Sequence, residues 1–304
     1  MLIQVFGKNM KSSKCTVCGT TDTVELYPAN VDIEKLSFTY VKTPGSGKTF
    51  RTVKCKNCTH VFCSPLPNDL YKHYEDVIDE QYLKYTESIK ISANKILPII
   101  KKYKSSGIIL DVGCATGQFL EEAKNFGYSV EGLELSRWSS DFVKRKGIRV
   151  YRERLKRLAK KFSGRYDVIT LFGVIEHFEN PVEEMKYINK LLKPEGLLVI
   201  WTGDINSLPS KILGKNWWYW QGQHIQYFSH QSLNYLTEHS GFKHIATKIY
   251  PFVATYGLLD NSLSRYPIRS VIMKTIRPFF KFKRTWTFYI PGEMLWFGSK
   301  IFEK

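Results

Sequence analysis

The 304-residue chain has no apolar run approaching the roughly 18–20 residues that a membrane-spanning helix needs. Its longest candidates, such as Gly196–Thr202, are strand-sized. The first residues, MLIQVFGKNMKSSKC, lack the basic, apolar, small-residue order of a secretory signal, so a cytoplasmic location is expected. There is no internal repeat and no low-complexity tract. With 43% hydrophobic and 24% charged residues, the composition excludes a mostly disordered chain and fits one large domain, or a large and a small one. Acidic residues are scarce: 28 Asp and Glu face 45 Lys and Arg, a net charge of +17. Such a balance favours anionic partners (nucleic acid, anionic lipid, acidic substrates); the plain alternative is a solvated, lysine-rich surface.

Cysteines are also few, six in all, but four of them form C-x-x-C pairs, Cys15–Cys18 and Cys55–Cys58, with 36 residues between the pairs. In a chain without an export signal this spacing favours metal over disulfides. Each pair puts two thiolates on one side of a tight turn, and two pairs make a tetrahedral site for which Zn²⁺ is the expected occupant. An all-sulfur site has no open position, so its expected role is structural: it would fold residues 1–70, a segment too short to build its own core. His60 and Cys63 are read as a surface histidine and a buried small side chain. The tract Thr43–Gly47 reads as flexible. Gly45-Ser46-Gly47-Lys48-Thr49 only imitates a phosphate-binding loop, because Lys42 stands where the first glycine is required.

Residues 71–104 read as a helical lead-in, with Pro98 starting a new turn or a kink. From residue 108 strands and helices alternate. Strands are expected at Ile108–Asp111, Ser129–Leu133, Ile148–Tyr151, Tyr166–Leu171 and Gly196–Trp201, with helices between them. An irregular aromatic stretch, 203–228, and the helix Gln231–Ser240 follow. The last strands are Phe242–Tyr250 and Glu293–Lys300. This order implies an α/β fold, a doubly wound, Rossmann-like, seven-stranded sheet over 71–304, preceded by a small zinc ribbon in 1–70.

The first strand runs into Asp111-Val112-Gly113-Cys114-Ala115-Thr116-Gly117 and then a helix. Glycines let a ligand approach the backbone, and the helix start exposes unpaired N–H groups. The spacing D-x-G-x-x-x-G departs from the dinucleotide fingerprint. A carboxylate at the strand end repels a pyrophosphate and attracts an ammonium group, which suits S-adenosylmethionine. Glu134 ends the second strand 21 residues after Gly113, where a carboxylate accepts both ribose hydroxyls.

These segments carry a resemblance. LDVGCATGQFL, VEGLELS, YDVITLFGVIEHFENP and LLKPEGLLVIWT occur in the order and spacing of class I S-adenosylmethionine-dependent methyltransferases. His224-Ile-Gln-Tyr-Phe-Ser-His resembles the bacterial subgroup acting on small molecules, sugars and lipid-linked precursors, and the zinc ribbon resembles bacterial enzymes of sugar and envelope biosynthesis. The resemblance implies that Asp111, Gly113 and Gly117 border the methionine end of the cofactor, with Cys114 and Ala115 as loop backbone beside it. It implies that Glu134 holds the ribose, that Leu135 flanks the adenine and that Phe172 borders the site. After the third strand the family usually places an acid near the adenine amino group. Here the stretch reads Tyr151-Arg152-Glu153-Arg154, so either Glu153 is shifted by one or Arg154 replaces the acid.

Methyl transfer to a hydroxyl needs a base. His177, after the fourth strand, and His224, after the aromatic run, are the candidates, each against a packing alternative; Glu176 reads as structural. Trp217, Trp218, Trp220, Gln221, Gln223 and Tyr227 are expected to wall an acceptor pocket, the alternative being a hydrophobic plug over the sheet. Within a basic insertion, 251–285, residues 267–284 read as a cationic amphipathic helix followed by aromatics. That suits peripheral contact with an anionic membrane on its inner face, or packing over the sheet edge with solvated lysines. The expected function is methyl transfer to a hydroxyl of a small, sugar or lipid-linked acceptor. The alternatives are an RNA methyltransferase, disfavoured by Gly173-Val-Ile-Glu-His in place of an Asn/Asp-Pro-Pro-aromatic motif, and a non-catalytic zinc-dependent scaffold.

Overall fold

A computed structural model describes residues 14–31, 38–40, 48–67, 69–264, 266–282 and 284–301. The tract Thr43–Gly47 lies outside the described residues.

Strands β1 (Thr23–Tyr27), β2 (Thr52–Cys55) and β3 (Val61–Cys63) form an antiparallel ribbon around the two cysteine turns. Helix α1 (Leu70–Glu75), a 3₁₀ segment (Glu80–Tyr85) and α2 (Thr86–Tyr103) make the lead-in. Pro98 sits inside α2 without ending it. The buried face Ala93, Ile96, Leu97 and Ile100 packs on the sheet on both sides of the proline, and this packing outweighs the one backbone bond that proline removes.

Next come β4 (Ile108–Val112), α3 (Gln118–Asn125), β5 (Ser129–Leu133), α4 (Arg137–Arg145), β6 (Arg149–Tyr151), α5 (Leu155–Lys161), β7 (Tyr166–Phe172), α6 (Pro181–Leu191) and β8 (Leu192–Gly203). They are followed by α7 (Leu208–Leu213), β9 (Gln226–Tyr227), α8 (His230–Glu238), β10 (Phe242–Ile249), β11 (Phe252–Thr255), α9 (Tyr256–Leu263), α10 (Arg269–Phe282), β12 (Thr285–Phe288) and β13 (Glu293–Lys300).

The expected seven-stranded sheet is present, in the order β10-β13-β8-β7-β4-β5-β6. Strands β6, β5, β4, β7 and β8 run parallel, and β13 is antiparallel to both of its neighbours. The strands read as continuous apolar runs because helices cover both faces. Leu110, Ile169, Leu198 and Ile200 point to the side of Leu158, Met185, Ile188 and Leu236. Their neighbours Ile109, Val168, Leu197 and Val199 point to the side of α2 and α3, with Phe119 and Ala123. The sheet order reverses between β4 and β7, and the loops at the carboxyl ends of these strands carry the glycine-rich turn and His177.

The ribbon is not a free appendage. Its sheet is completed by β9, whose Gln226 and Tyr227 pair with Phe62 and Val61 of β3. No described helix is long and apolar enough to cross a membrane.

Candidate active site

One cavity of about 350 Å³ opens at the carboxyl ends of β4, β5, β7 and β8. Asp111, Gly113, Cys114, Ala115, Glu134, Leu135, Glu153, Phe172, His177, Gln221, Gln223 and His224 all line it. Gly117 is the residue that starts α3 below the loop.

The loop backbone explains its glycines. Gly113 has φ +66°, and a Cβ there would lie 2.6 Å from Val174 Cγ2. Gly117 takes φ +79° as the N-cap of α3. Ala115 is held at φ +44°, an uncommon conformation for a side-chain-bearing residue, while its N–H donates to Glu134 Oε2 at 2.9 Å. The ribose-binding candidate thus also fastens the loop.

Asp111 is buried, and its Oδ1 accepts the Thr170 hydroxyl at 2.6 Å. Burial pushes its carboxyl up to about 7; the Thr170 bond opposes this and the Glu134 charge adds to it. Burial likewise raises Glu134 above the usual carboxylate range, against the pull of the Ser136 and Ala115 N–H groups. Two desolvated acids therefore line the crevice, a costly arrangement suited to a cationic ligand. Glu153 lines the cavity while accepting Lys161 Nζ at 2.8 Å, and Arg154 lines it while donating to Asp69 at 3.0 Å.

His177 ends a 3₁₀ turn, Ile175–His177, directly after β7. Its Nδ1 lies 2.9 Å from the Gln223 carbonyl, which can only accept; with the proton on Nδ1 donated to that carbonyl, Nε2 keeps its lone pair. The Tyr74 hydroxyl sits 2.9 Å from the same Nδ1. Burial lowers the His177 pKa to about 4, and the Gln223 carbonyl opposes this in part. His224 Nδ1 lies 2.8 Å from the Tyr219 carbonyl, and the two imidazoles meet edge to face with centroids 4.9 Å apart. Glu176 also lines the cavity, and it is held by side chains: Oε2 accepts Thr202 Oγ1 at 3.0 Å, and Oε1 accepts the Tyr219 hydroxyl. Burial pushes its carboxyl up to about 7.

The aromatic run divides differently from the expectation. Trp217, Trp218, Trp220 and Tyr227 do not line the cavity. Trp217, Trp220 and Tyr227 are buried with Val61, Cys63 and Leu70, and Trp218 packs against them. The short ribbon cannot fill its own interior, and β9 brings these rings to its β3 edge. Tyr219, in the middle of the run, faces the cavity instead. Gln223 reaches the cavity wall but spends its amide on Thr39, whose carbonyl and N–H it meets at 3.0 and 3.3 Å. His60 is not a surface histidine: it is fully buried, bonded to Gln226 at 2.8 Å and packed on Phe228. Cys63 is buried, as expected.

Several lining residues carry no local sequence signal: Tyr40, Tyr74, Tyr82, Tyr85, Ser88 and Tyr250. Only their placement identifies them.

The sulfurs of Cys15, Cys18, Cys55 and Cys58 lie within 4.8 Å of one another, with Cys15–Cys58 at 3.6 Å and Cys18–Cys55 at 3.5 Å. Tetrahedral Zn–S bonds of about 2.3 Å set sulfurs about 3.8 Å apart. Turn N–H groups of Val17 and Cys58 face the sulfurs of Cys15 and Cys55 at 3.5 and 3.4 Å. The donor set therefore fits such an ion.

Residues 85–247, more than half of the chain, match the family described as Methyltransferase domain. Among curated proteins the chain is similar to the ubiquinone biosynthesis O-methyltransferases of Escherichia coli O127:H6 and Nitrosococcus oceani. The first is 30% identical over 115 residues, covering 36% of this chain and 45% of the relative; the second is 31% identical over 111 residues, covering 34% and 46%. The chain thus spans less than half the length of these relatives. Among solved structures it resembles a SAM-dependent methyltransferase from Archaeoglobus fulgidus, with TM-score 0.52 and 20% identity, over 73% of this chain and all of that one. It also resembles a possible histamine N-methyltransferase from Thermotoga maritima, with TM-score 0.50 and 18% identity, over 76% of this chain and 99% of that one. These two likenesses speak for the fold alone. With the seven-strand order, the acid-lined crevice and the family match over 85–247 in agreement, the chain belongs to the class I S-adenosylmethionine-dependent methyltransferases.

Proposed function

We propose that the enzyme methylates a hydroxyl of a small acceptor with a largely apolar body, free or lipid-linked, and that His177 takes the proton. The observation that carries this reading is the cavity itself. Its wall combines the buried acids Asp111 and Glu134 with the apolar side chains Ile89, Ile96, Trp201, Tyr250, Phe252 and Leu258 and with His177 and His224. When bound, S-adenosylmethionine supplies the methyl group as an electrophile. Asp111 would hold its ammonium and Glu134 its ribose. Ser88, in the first turn of α2, has a buried hydroxyl that lines the cavity with no hydrogen-bond partner among the described residues. Together with the helix N-terminus it suits the methionine carboxylate. His177 Nε2 would accept the acceptor proton while the Gln223 carbonyl fixes the ring. His224 is the second candidate for that task. The similarity to O-methyltransferases of ubiquinone biosynthesis supports oxygen as the nucleophile.

Residues 1–70 are read as a zinc-folded module and 71–304 as the catalytic unit, with Zn²⁺ on Cys15, Cys18, Cys55 and Cys58 holding the ribbon. Membrane contact through 267–284 is supported by α10, which exposes Val271 and Phe279 beside Lys274 and Arg277, with exposed Ile268 just before it. A nucleic-acid acceptor has less support: among the described lining residues Arg154 is the sole Lys or Arg, and it is paired with Asp69. Incubation with methyl-labelled S-adenosylmethionine and a bacterial extract, followed by solvent partition, tests the reading. Label in an alkali-stable methyl ether of the organic phase is expected; label confined to RNA would refute it.

A further inference from the structure

The short segment Phe38-Thr39-Tyr40 lies between the two cysteine turns in sequence, yet its contacts are with the catalytic unit. Phe38 stacks on His73 with centroids 4.7 Å apart. The Thr39 backbone is clasped by the Gln223 amide through two hydrogen bonds. The Tyr40 N–H donates to Asp79 at 2.9 Å, and its ring packs against Tyr82. The Tyr40 hydroxyl donates to Glu134 Oε1 at 3.1 Å and accepts from Ser139 Oγ at 3.0 Å.

A carboxylate oxygen offers two lone-pair directions. Oε2 of Glu134 accepts from Ala115 N and has one left. Oε1 accepts from Ser136 N at 2.8 Å and from Tyr40, so both of its directions are taken. A ribose diol that donates one hydroxyl to each oxygen finds room on Oε2 and none on Oε1 while Tyr40 stays. We infer that Tyr40 guards the ribose end of the cofactor crevice: its hydroxyl stands in for one ribose hydroxyl on Glu134 and yields that place when the nucleoside binds. The Gln223 clasp ties the same segment to the residue whose carbonyl orients His177, so displacement of Tyr40 is felt at the proton acceptor.

This inference rests on the ribose role of Glu134, and the experiment separates the two. Adenosine, 2′-deoxyadenosine and 3′-deoxyadenosine are titrated calorimetrically into the wild type, Y40F and E134A. Loss of adenosine binding in E134A, together with weaker wild-type binding of at least one deoxy analogue than of adenosine, supports the ribose role; retained affinity in E134A overturns that role and the inference with it. With that role supported, Y40F is expected to bind adenosine about tenfold more tightly, because a hydrogen bond to a charged group no longer has to be broken. For the one deoxy analogue that lacks the competing hydroxyl, the wild type and Y40F are expected to bind alike. No gain in Y40F, weaker binding, or an equal gain with all three nucleosides overturns the inference. An equal gain would mark a general loosening of the crevice, and a loss would mark the phenol as a permanent contact. Thermal melting confirms that each variant is folded.

Discussion

Replacing Asp111 with asparagine is expected to move stability and affinity in opposite directions. The Asp111 carboxyl is raised from 3.8 to about 7, chiefly by burial. At 1.36 kcal/mol per unit that shift represents a native-state penalty of roughly 4 kcal/mol above pH 7. Asparagine keeps the shape and the acceptor oxygen facing Thr170, but its own buried amide forfeits about 1–3 kcal/mol. The ligand-free variant should therefore gain about 1–3 kcal/mol at pH 8.5, or about 2–4 °C of melting temperature per kcal/mol. The pH dependence follows from linkage. An acid whose folded pKa lies above its unfolded value binds more protons in the native state between these two values, so wild-type stability falls as pH rises through that window. The advantage of Asp111→Asn should be full above pH 7 and about 2 kcal/mol smaller at pH 5.5. Affinity for S-adenosylhomocysteine should drop by about 10–100-fold, because a charge-assisted bond to the ammonium is lost. Scanning calorimetry with and without ligand at both pH values reads all of this. A variant that melts at or below the wild type at pH 8.5, or a gap that ignores pH, would refute the assignment of Asp111 as a desolvated cation receptor.

His177→Gln should lower kcat by about 10²–10⁴-fold and leave S-adenosylhomocysteine affinity unchanged, as measured by methyl transfer and calorimetry. Trp217→Ala should cost about 3–5 kcal/mol in denaturant unfolding by emptying the ribbon core, with ligand affinity of the folded fraction preserved. Native mass spectrometry should find one Zn²⁺ per chain, lost in Cys18→Ser, and chelation should lower the melting temperature. Lys274→Glu with Arg277→Glu should abolish sedimentation with anionic vesicles at low salt; undiminished binding would place the membrane contact elsewhere.

The parts legible in the chain were those built from neighbours in sequence. A buried strand, a left-handed glycine turn and a helix start lie within ten residues of one another, so the Asp111–Gly117 loop could be read directly, and the cysteine turns likewise. Glu134 follows from the fixed length of one strand–helix–strand unit. Partnerships that depend on distant register were not legible. Whether Trp217 or Tyr219 faces the cavity turns on β9 pairing with β3, and nothing near residue 217 encodes that pairing. Tyr40 meets Glu134 across 94 residues. His60 looked like a surface residue because its partner, Gln226, lies 166 positions away. Local backbone preference and periodicity determined the sheet, the cofactor crevice and the cysteine site. Only long-range packing, which must bury a small ribbon against a larger unit, decided which aromatic rings became core and which became the wall of the cavity.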